Sequence, residues 1–180
     1  MAEASKSLIH RMIRAARLDP QVYEDVEHDK GAIGQAMAVV ILSSLAAGVG
    51  AIRDGGIPAM IFLALASLVG WVVWALTTYL IGTRLLPEPQ TKSSLGEMLR
   101  TTGFSSAPGV IRILGLLPGL RVLVTFIAAI WMLVTMVIAV RQALDYRHTG
   151  RAVGVCLIGW LIWLILMLLL GPGPFSGTAV

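Results

Sequence analysis

Four long stretches of this chain carry no ionisable side chain. Residues 31–52, 55–83, 122–140 and 152–180 contain no Asp, Glu, Lys, Arg or His. A bilayer core takes roughly 20 apolar residues in helical form. Backbone groups in lipid have no water to bond, so each must pair within its own segment. A chain patterned this way crosses a membrane as helices, and the expected class is an all-α integral membrane bundle. The 180 residues are 57% hydrophobic and 13% charged, with mean hydropathy +0.83. That leaves room for one compact bundle and none for a soluble catalytic domain.

The formal charge of +4 would suggest nucleic acid in a soluble protein. Here the basic residues flank apolar stretches, so topology explains them and no nucleic-acid partner is expected. The single cysteine, Cys156, lies inside the last apolar run. One thiol forms no internal disulfide and no Cys-rich metal site, and it is expected to act as a small hydrophobe.

Five transmembrane helices are predicted: 33–52, about Pro58 to Gly82, 98–120, 121–140 and 152–171. The third contains Arg100, Arg112, Pro108 and Pro118. Its apolar content still favours a span, and Pro or Gly breaks are tolerated where neighbouring helices shield the backbone. A break or kink is expected near Pro108. With the N-terminus cytoplasmic, only Arg53, Arg112 and Arg121 of the 14 Lys and Arg residues fall outside, a strong positive-inside bias. Leaving 98–120 as a loop would place Arg141, Arg147 and Arg151 outside and spoil it. The expected plan is N-terminus cytoplasmic and C-terminus outside. Residues 1–30 form a cytoplasmic segment, 31–171 the five-span domain and 172–180 an irregular tail. No secretory signal peptide is expected, because the first 30 residues are polar.

Residues 5–18 suit a basic amphipathic helix. Lys6, His10, Arg14 and Arg17 share one face; Leu8, Ile9, Met12, Ile13 and Ala16 share the other. Lys6, Arg11, Arg14 and Arg17 are the expected contacts to an anionic leaflet, and packing on the cytoplasmic end of the bundle is an equal alternative. Asp19-Pro20 reads as a fresh helix start, with Asp as N-cap and Pro first. In the acidic run Glu24–Asp29, Asp25 and His28 have the i, i+3 spacing of metal sites in bundles. No other span supplies a carboxylate or His to complete a ligand set. The run is read as a solvated acidic face, with no metal or cofactor.

The predicted spans contain no Asp, Glu, Lys or His, although transporters and intramembrane enzymes usually carry ionisable groups at membrane depth. Arg100 and Arg112 sit near opposite ends of the third span and are expected to snorkel. The functional alternative is a buried Arg holding an anionic headgroup or substrate. Ser43, Ser44, Thr77, Thr78, Ser105 and Ser106 have no His or Lys near them in sequence. They are expected to bond backbone or bridge helices. No nucleotide fingerprint is present, no catalytic residue is assigned, and the chain is not expected to be an enzyme.

Thr102-Gly103-Phe104-Ser105-Ser106-Ala107-Pro108 resembles the Gly-aromatic-Ser-x-x-Pro element of the Yip family, the Ypt/Rab-interacting membrane proteins and their bacterial relatives. Ile130-Trp131 and the exit Ala139-Val140-Arg141-Gln142-Ala143-Leu144 resemble that family's fourth span. The resemblance covers roughly residues 18–170. It implies a non-enzymatic membrane protein; eukaryotic members are linked to vesicle traffic, Rab GTPase binding and membrane shaping. The chain departs from the eukaryotic pattern. It lacks the long N-terminal region with Asp-Leu-Tyr-Gly-Pro, and Asp19-Pro20-Gln21-Val22-Tyr23 is a distant echo of it. A Rab-type GTPase is therefore a doubtful partner, and a multi-pass protein of the bacterial cytoplasmic (inner) membrane is expected.

The expected interaction or kink positions are Gly103, Phe104, Ser105, Pro108, Arg100 and Arg112, with packing at the kink the first role for Gly103 and Pro108. The leading functional expectation is a partner-binding, scaffold or accessory subunit, linked to membrane shaping or traffic. It would contact lipid and other membrane proteins or further copies of itself. The alternative is a small transporter, channel or lipid-handling protein using the broken third span. That alternative requires a polar cavity near Gly103–Pro108 that reaches Arg100 or Arg112.

Overall fold

The structure, a computed structural model, describes residues 7–48, 52–117 and 119–170. Every regular element among them is helical. Helix α1 (Leu8–Ala16) opens at Ser7, whose hydroxyl accepts from the His10 N–H. Leu18 turns the chain with a left-handed φ of 62°. Helix α2 (Pro20–His28) follows, with Asp19 accepting from the Gln21 N–H and Pro20 in the first turn. The pair satisfies orphan N-terminal groups as such caps do.

Helix α3 is Ala32–Gly48. Helix α4 (Ile52–Leu80) is kinked at Gly56, where φ is 67°. Glycine alone adopts that conformation cheaply, and Pro58 opens the straight part beyond it. A π-helical turn, Ile81–Leu85, closes α4. Helix α5 (Leu95–Phe104) starts in a capping box between Ser94 and Glu97. A 3₁₀ helix, Ala107–Leu116, continues from α5. Helices α6 (Arg121–Ala143) and α7 (Thr149–Leu170) complete the chain.

Three helical stretches are long and apolar enough to cross a membrane: Gly56–Leu85, Arg121–Ala143 and Thr149–Leu166. Ala32–Gly48 is apolar but shorter, at 17 residues. The segment expected as a third span is two pieces, α5 and the 3₁₀ helix. It breaks at Ser105–Ser106, just ahead of Pro108. Pro118 and the tail from Gly171 lie outside the described residues.

Helices α1 and α2 are part of the core. Ala15, Val22, Tyr23 and Val26 are fully buried in one cluster with Ala36, Val39, Phe104 and Ala139. The Trp131 indole N–H, halfway along α6, donates to Ala16 O at 2.7 Å. The inward face of α1 differs from the expected one. Arg11 and Ala15 are buried, with Leu8 and Met12 packed beside them. Ile9 and Ile13 point outward, 71% and 47% exposed. Arg11, expected at a lipid surface, instead pairs with Asp29 at 2.7 Å and Gln35 at 2.9 Å. The inward turn follows from that partner, since a buried guanidinium is tolerated only when paired. Arg14 bridges Asp19 and Asp25 at 2.7 and 2.6 Å. Arg17 is exposed. Lys6 lies outside the described residues.

A second cluster joins Ala75, Ile81, Met98, Val140, Leu144 and Val155. There the Tyr146 hydroxyl lies 3.0 Å from Gly82 O and 2.7 Å from Leu86 O, so the α6–α7 turn is tied to the end of α4.

Candidate functional site at the broken helix

The break is built on close backbone approach. A Cβ placed on Gly103 would stand 2.7 Å from the Ala36 Cβ, and one on Gly109 would collide with Ser43 and come within 2.9 Å of the Met132 sulfur. Helix α3 and the α5–3₁₀ segment therefore climb side by side in the same direction. Seven α-helical steps separate Ala36 from Ser43, a rise of about 10 Å. The six steps from Gly103 to Gly109 climb about as far because half of them are in the longer 3₁₀ geometry. The switch of helix type keeps the two small-residue contacts in register.

Breaking the helix frees backbone groups, and the neighbours satisfy them. The Thr135 hydroxyl of α6 lies 2.8 Å from Ser105 O, the nearest of the three carbonyls it can reach. Ser105 donates its own hydroxyl to Thr102 O at 2.6 Å. The Trp71 indole N–H sits 3.2 Å from both Thr102 Oγ1 and Leu99 O. Phe104 is fully buried in the first cluster, and Pro108 is buried at the start of the 3₁₀ helix.

Arg100 does not snorkel. It is 8% exposed. Its Nε donates to Val26 O at 2.9 Å, and Nη2 to Glu27 O. Those carbonyls end α2 and have no helical partner of their own, and a cation there also meets the favourable end of the helix dipole. Arg100 is thus the fastener between α5 and the N-terminal hairpin. Beside it, Glu27 is buried with Oε2 unpartnered. Burial first, then Glu24, Asp145 and Glu97, push its carboxyl up to about 8.

Arg112 lies apart from that fastener, on the 3₁₀ helix. It borders a cavity of about 280 Å³ between α3, α4, the broken segment and α6. Ser43, Ser44, Ser67, Thr102 and Ser106 line this space, with Trp71, Trp74, Met132 and Met136. Of the expected positions, Arg112 alone joins it. Gly103, Phe104, Ser105 and Pro108 form the packing around the break, and Arg100 sits at the α2 end. Ser67, Gly70, Trp71 and Trp74 supply the α4 side of the cavity, and of these the sequence marks Trp71 and Trp74 alone, as aromatics that favour an interface. The four follow one another at i, i+3, i+4 and i+7, the spacing of one helix face. A strip of hydroxyl, glycine and indole in an otherwise aliphatic helix was the available signal. Among the described residues no group of His, Cys, Asp and Glu could hold a metal ion.

An all-helical bundle with three helices of membrane-crossing length and an apolar exterior defines an integral membrane protein. The Yip1 domain model matches residues 18–171. The chain belongs to the Yip family. No curated protein and no solved structure matches it.

Proposed function

We propose that this chain is a five-span, non-enzymatic scaffold or accessory subunit of a bacterial cytoplasmic membrane, N-terminus inside and C-terminus outside, which works by binding membrane partners. The observation that carries this reading is the N-terminal hairpin. Instead of trailing into water, α1 and α2 are built into the core through Ala15, Tyr23 and Arg100. They hold Arg17, Glu24, Asp25 and His28 as an ordered, exposed polar face. Partners recognised through such a surface need no chemistry inside the bundle. The hydroxyls at the break support the same reading, because Ser44, Ser67, Thr102 and Ser105 donate to backbone carbonyls. A pull-down of the tagged chain from native membranes in mild detergent, followed by mass spectrometry, tests it. A stoichiometric membrane partner is the expected result. A chain that purifies only with itself and lipid would sink the scaffold reading.

One observation favours a second reading, lipid handling. The cavity at the broken segment is lined by Ser43, Ser44, Ser67, Thr102 and Ser106 among apolar side chains, and it reaches Arg112.

A further inference from the structure

We propose that the cavity beside the broken helix binds an anionic phospholipid, its phosphate paired with Arg112 and an acyl chain lying in the apolar groove between α4 and α7. This deepens the lipid-handling reading and rests on it.

Arg112 is a cation without a counterion among the described residues. Its Nε is buried and unpartnered. Its Nη2 meets only the Met132 sulfur, at 2.9 Å, and thioether sulfur is a weak acceptor. No carboxylate lines the cavity, and none of the ion pairs among the described residues includes Arg112. An uncompensated guanidinium among membrane helices is costly. A phosphate fits the guanidinium fork with two parallel hydrogen bonds. The surrounding hydroxyls suit the same group. Ser44, Ser67 and Thr102 now bond back to carbonyls in their own helices. A hydroxyl rotor can turn to donate elsewhere.

The position of the opening selects a lipid over a free ion. Ser43, Ser44 and Thr102 form the buried back wall, whereas Ser67, Gly70 and Trp74 on α4 and Met132 and Met136 on α6 are half-buried. Helices α4 and α6 are not among the closely packed pairs. The half-buried lining on these helices places the mouth between them, beside the contact of the Trp74 indole N–H with the Met136 sulfur at 3.3 Å, and their outward faces carry exposed Val69, Val72, Leu133 and Val134. That is apolar surface, from which a lipid enters sideways and an ion in water does not. The cavity is also a pocket and not a conduit. Its lining on α4 runs from Ser67 to Trp74, about 10 Å of helix against a bilayer core of about 30 Å.

A place for the chain is adjacent. A groove of about 210 Å³ between α4 and α7 is lined by Val73, Ile162, Trp163 and Leu166, and shares Gly70 and Trp74 with the cavity. A Cβ at Gly70 would meet nothing within 4 Å, so no side chain walls the two spaces apart there.

The test is native mass spectrometry of the full chain, extracted in mild detergent from vesicles of equal parts phosphatidylglycerol and phosphatidylcholine. The expected result is one retained phosphatidylglycerol per chain. Arg112→Gln lowers that retention about tenfold or more, the loss expected for charge-assisted hydrogen bonds, and Arg112→Lys loses less. Arg121→Gln, which removes an exposed charge at the start of α6, leaves retention unchanged. Gly70→Leu fills the opening with Arg112 intact and also lowers retention; it carries the test if Arg112→Gln does not fold. Equal loss in Arg121→Gln, or full retention in a folded Gly70→Leu, would overturn the site while leaving lipid handling standing. Displacement of the lipid by millimolar inorganic phosphate would overturn the lipid as occupant. No retained lipid of either headgroup would remove both the site and the lipid-handling reading.

Discussion

Gly103 and Ala36 meet so closely that one methyl group decides their packing. Gly103→Ala forces α5 away from α3 and should cost about 1–3 kcal/mol, as overpacked cores do, seen as a fall of several degrees in the thermal midpoint in detergent. Adding Ala36→Gly should restore only part of the loss, because the Ala36 carbonyl also lies 3.1 Å from the new Cβ position. Full stability in Gly103→Ala alone would show that the helices can separate freely. Glu27 makes a prediction of a different kind. Its carboxyl is raised from 4.5 to about 8, so the folded chain holds a proton that the unfolded chain releases first. The resulting stability is complete below about pH 4.5 and disappears as pH rises to about 8. The thermal midpoint should therefore fall between pH 5 and 8 in the natural chain, and Glu27→Gln should flatten that slope. An identical slope in both would show that Glu27 does not titrate in this range.

The elements divide into those legible in the sequence and those that only contacts define. The charge-free runs mark α4, α6 and α7 directly, because a membrane helix satisfies its own backbone and needs nothing from its neighbours. The Asp19-Pro20 start of α2 was legible for the same local reason. The 3₁₀ helix was not. Pro108 signals a break, but a ten-residue 3₁₀ run is rare and arises here from register with Ala36 and Ser43 on another helix. The inward face of α1 was hidden likewise, since the decisive partners of Arg11 are Asp29 and Gln35. Arg100 is the same case, and it can be tested at the scale of the element it holds. Arg100→Ala strands the Val26 and Glu27 carbonyls, a cost of about 1–3 kcal/mol for each buried group left without a partner. Hydrogen exchange should accelerate across α2 and the turn to α3 while α6 stays protected. Unchanged exchange in residues 20–31 would mean that Arg100 is free to reach an interface after all.

At the scale of the whole molecule, the topology turns on how many times the chain crosses the bilayer. The third crossing is decisive, because α5 and the 3₁₀ helix are separately too short. Ten residues of α-helix rise about 15 Å and ten of 3₁₀ about 20 Å. End to end they exceed a core of about 30 Å, and the parallel course of α3 beside them supports a continuous crossing. The positive-inside bias points the same way, since Arg141, Arg147 and Arg151 then share the side of the N-terminal hairpin. Single cysteines placed at exposed positions on either side of the broken segment, Lys92→Cys and Leu117→Cys, separate the alternatives in a Cys156→Ser background. Both sites lie outside the regular helices, and Cys156 itself is buried. In sealed vesicles, an impermeant maleimide added outside should label one of the two sites, and the other only once the vesicles are opened. Labelling of both from one face would reduce the broken segment to a re-entrant element. Arg147 and the N-terminal hairpin would then lie on opposite sides of the bilayer. The hydrogen-bonding distance between Gln142 and Glu24, 3.5 Å, makes that arrangement incompatible with the packing of α2 on α6, so the labelling pattern tests the topology and the core together.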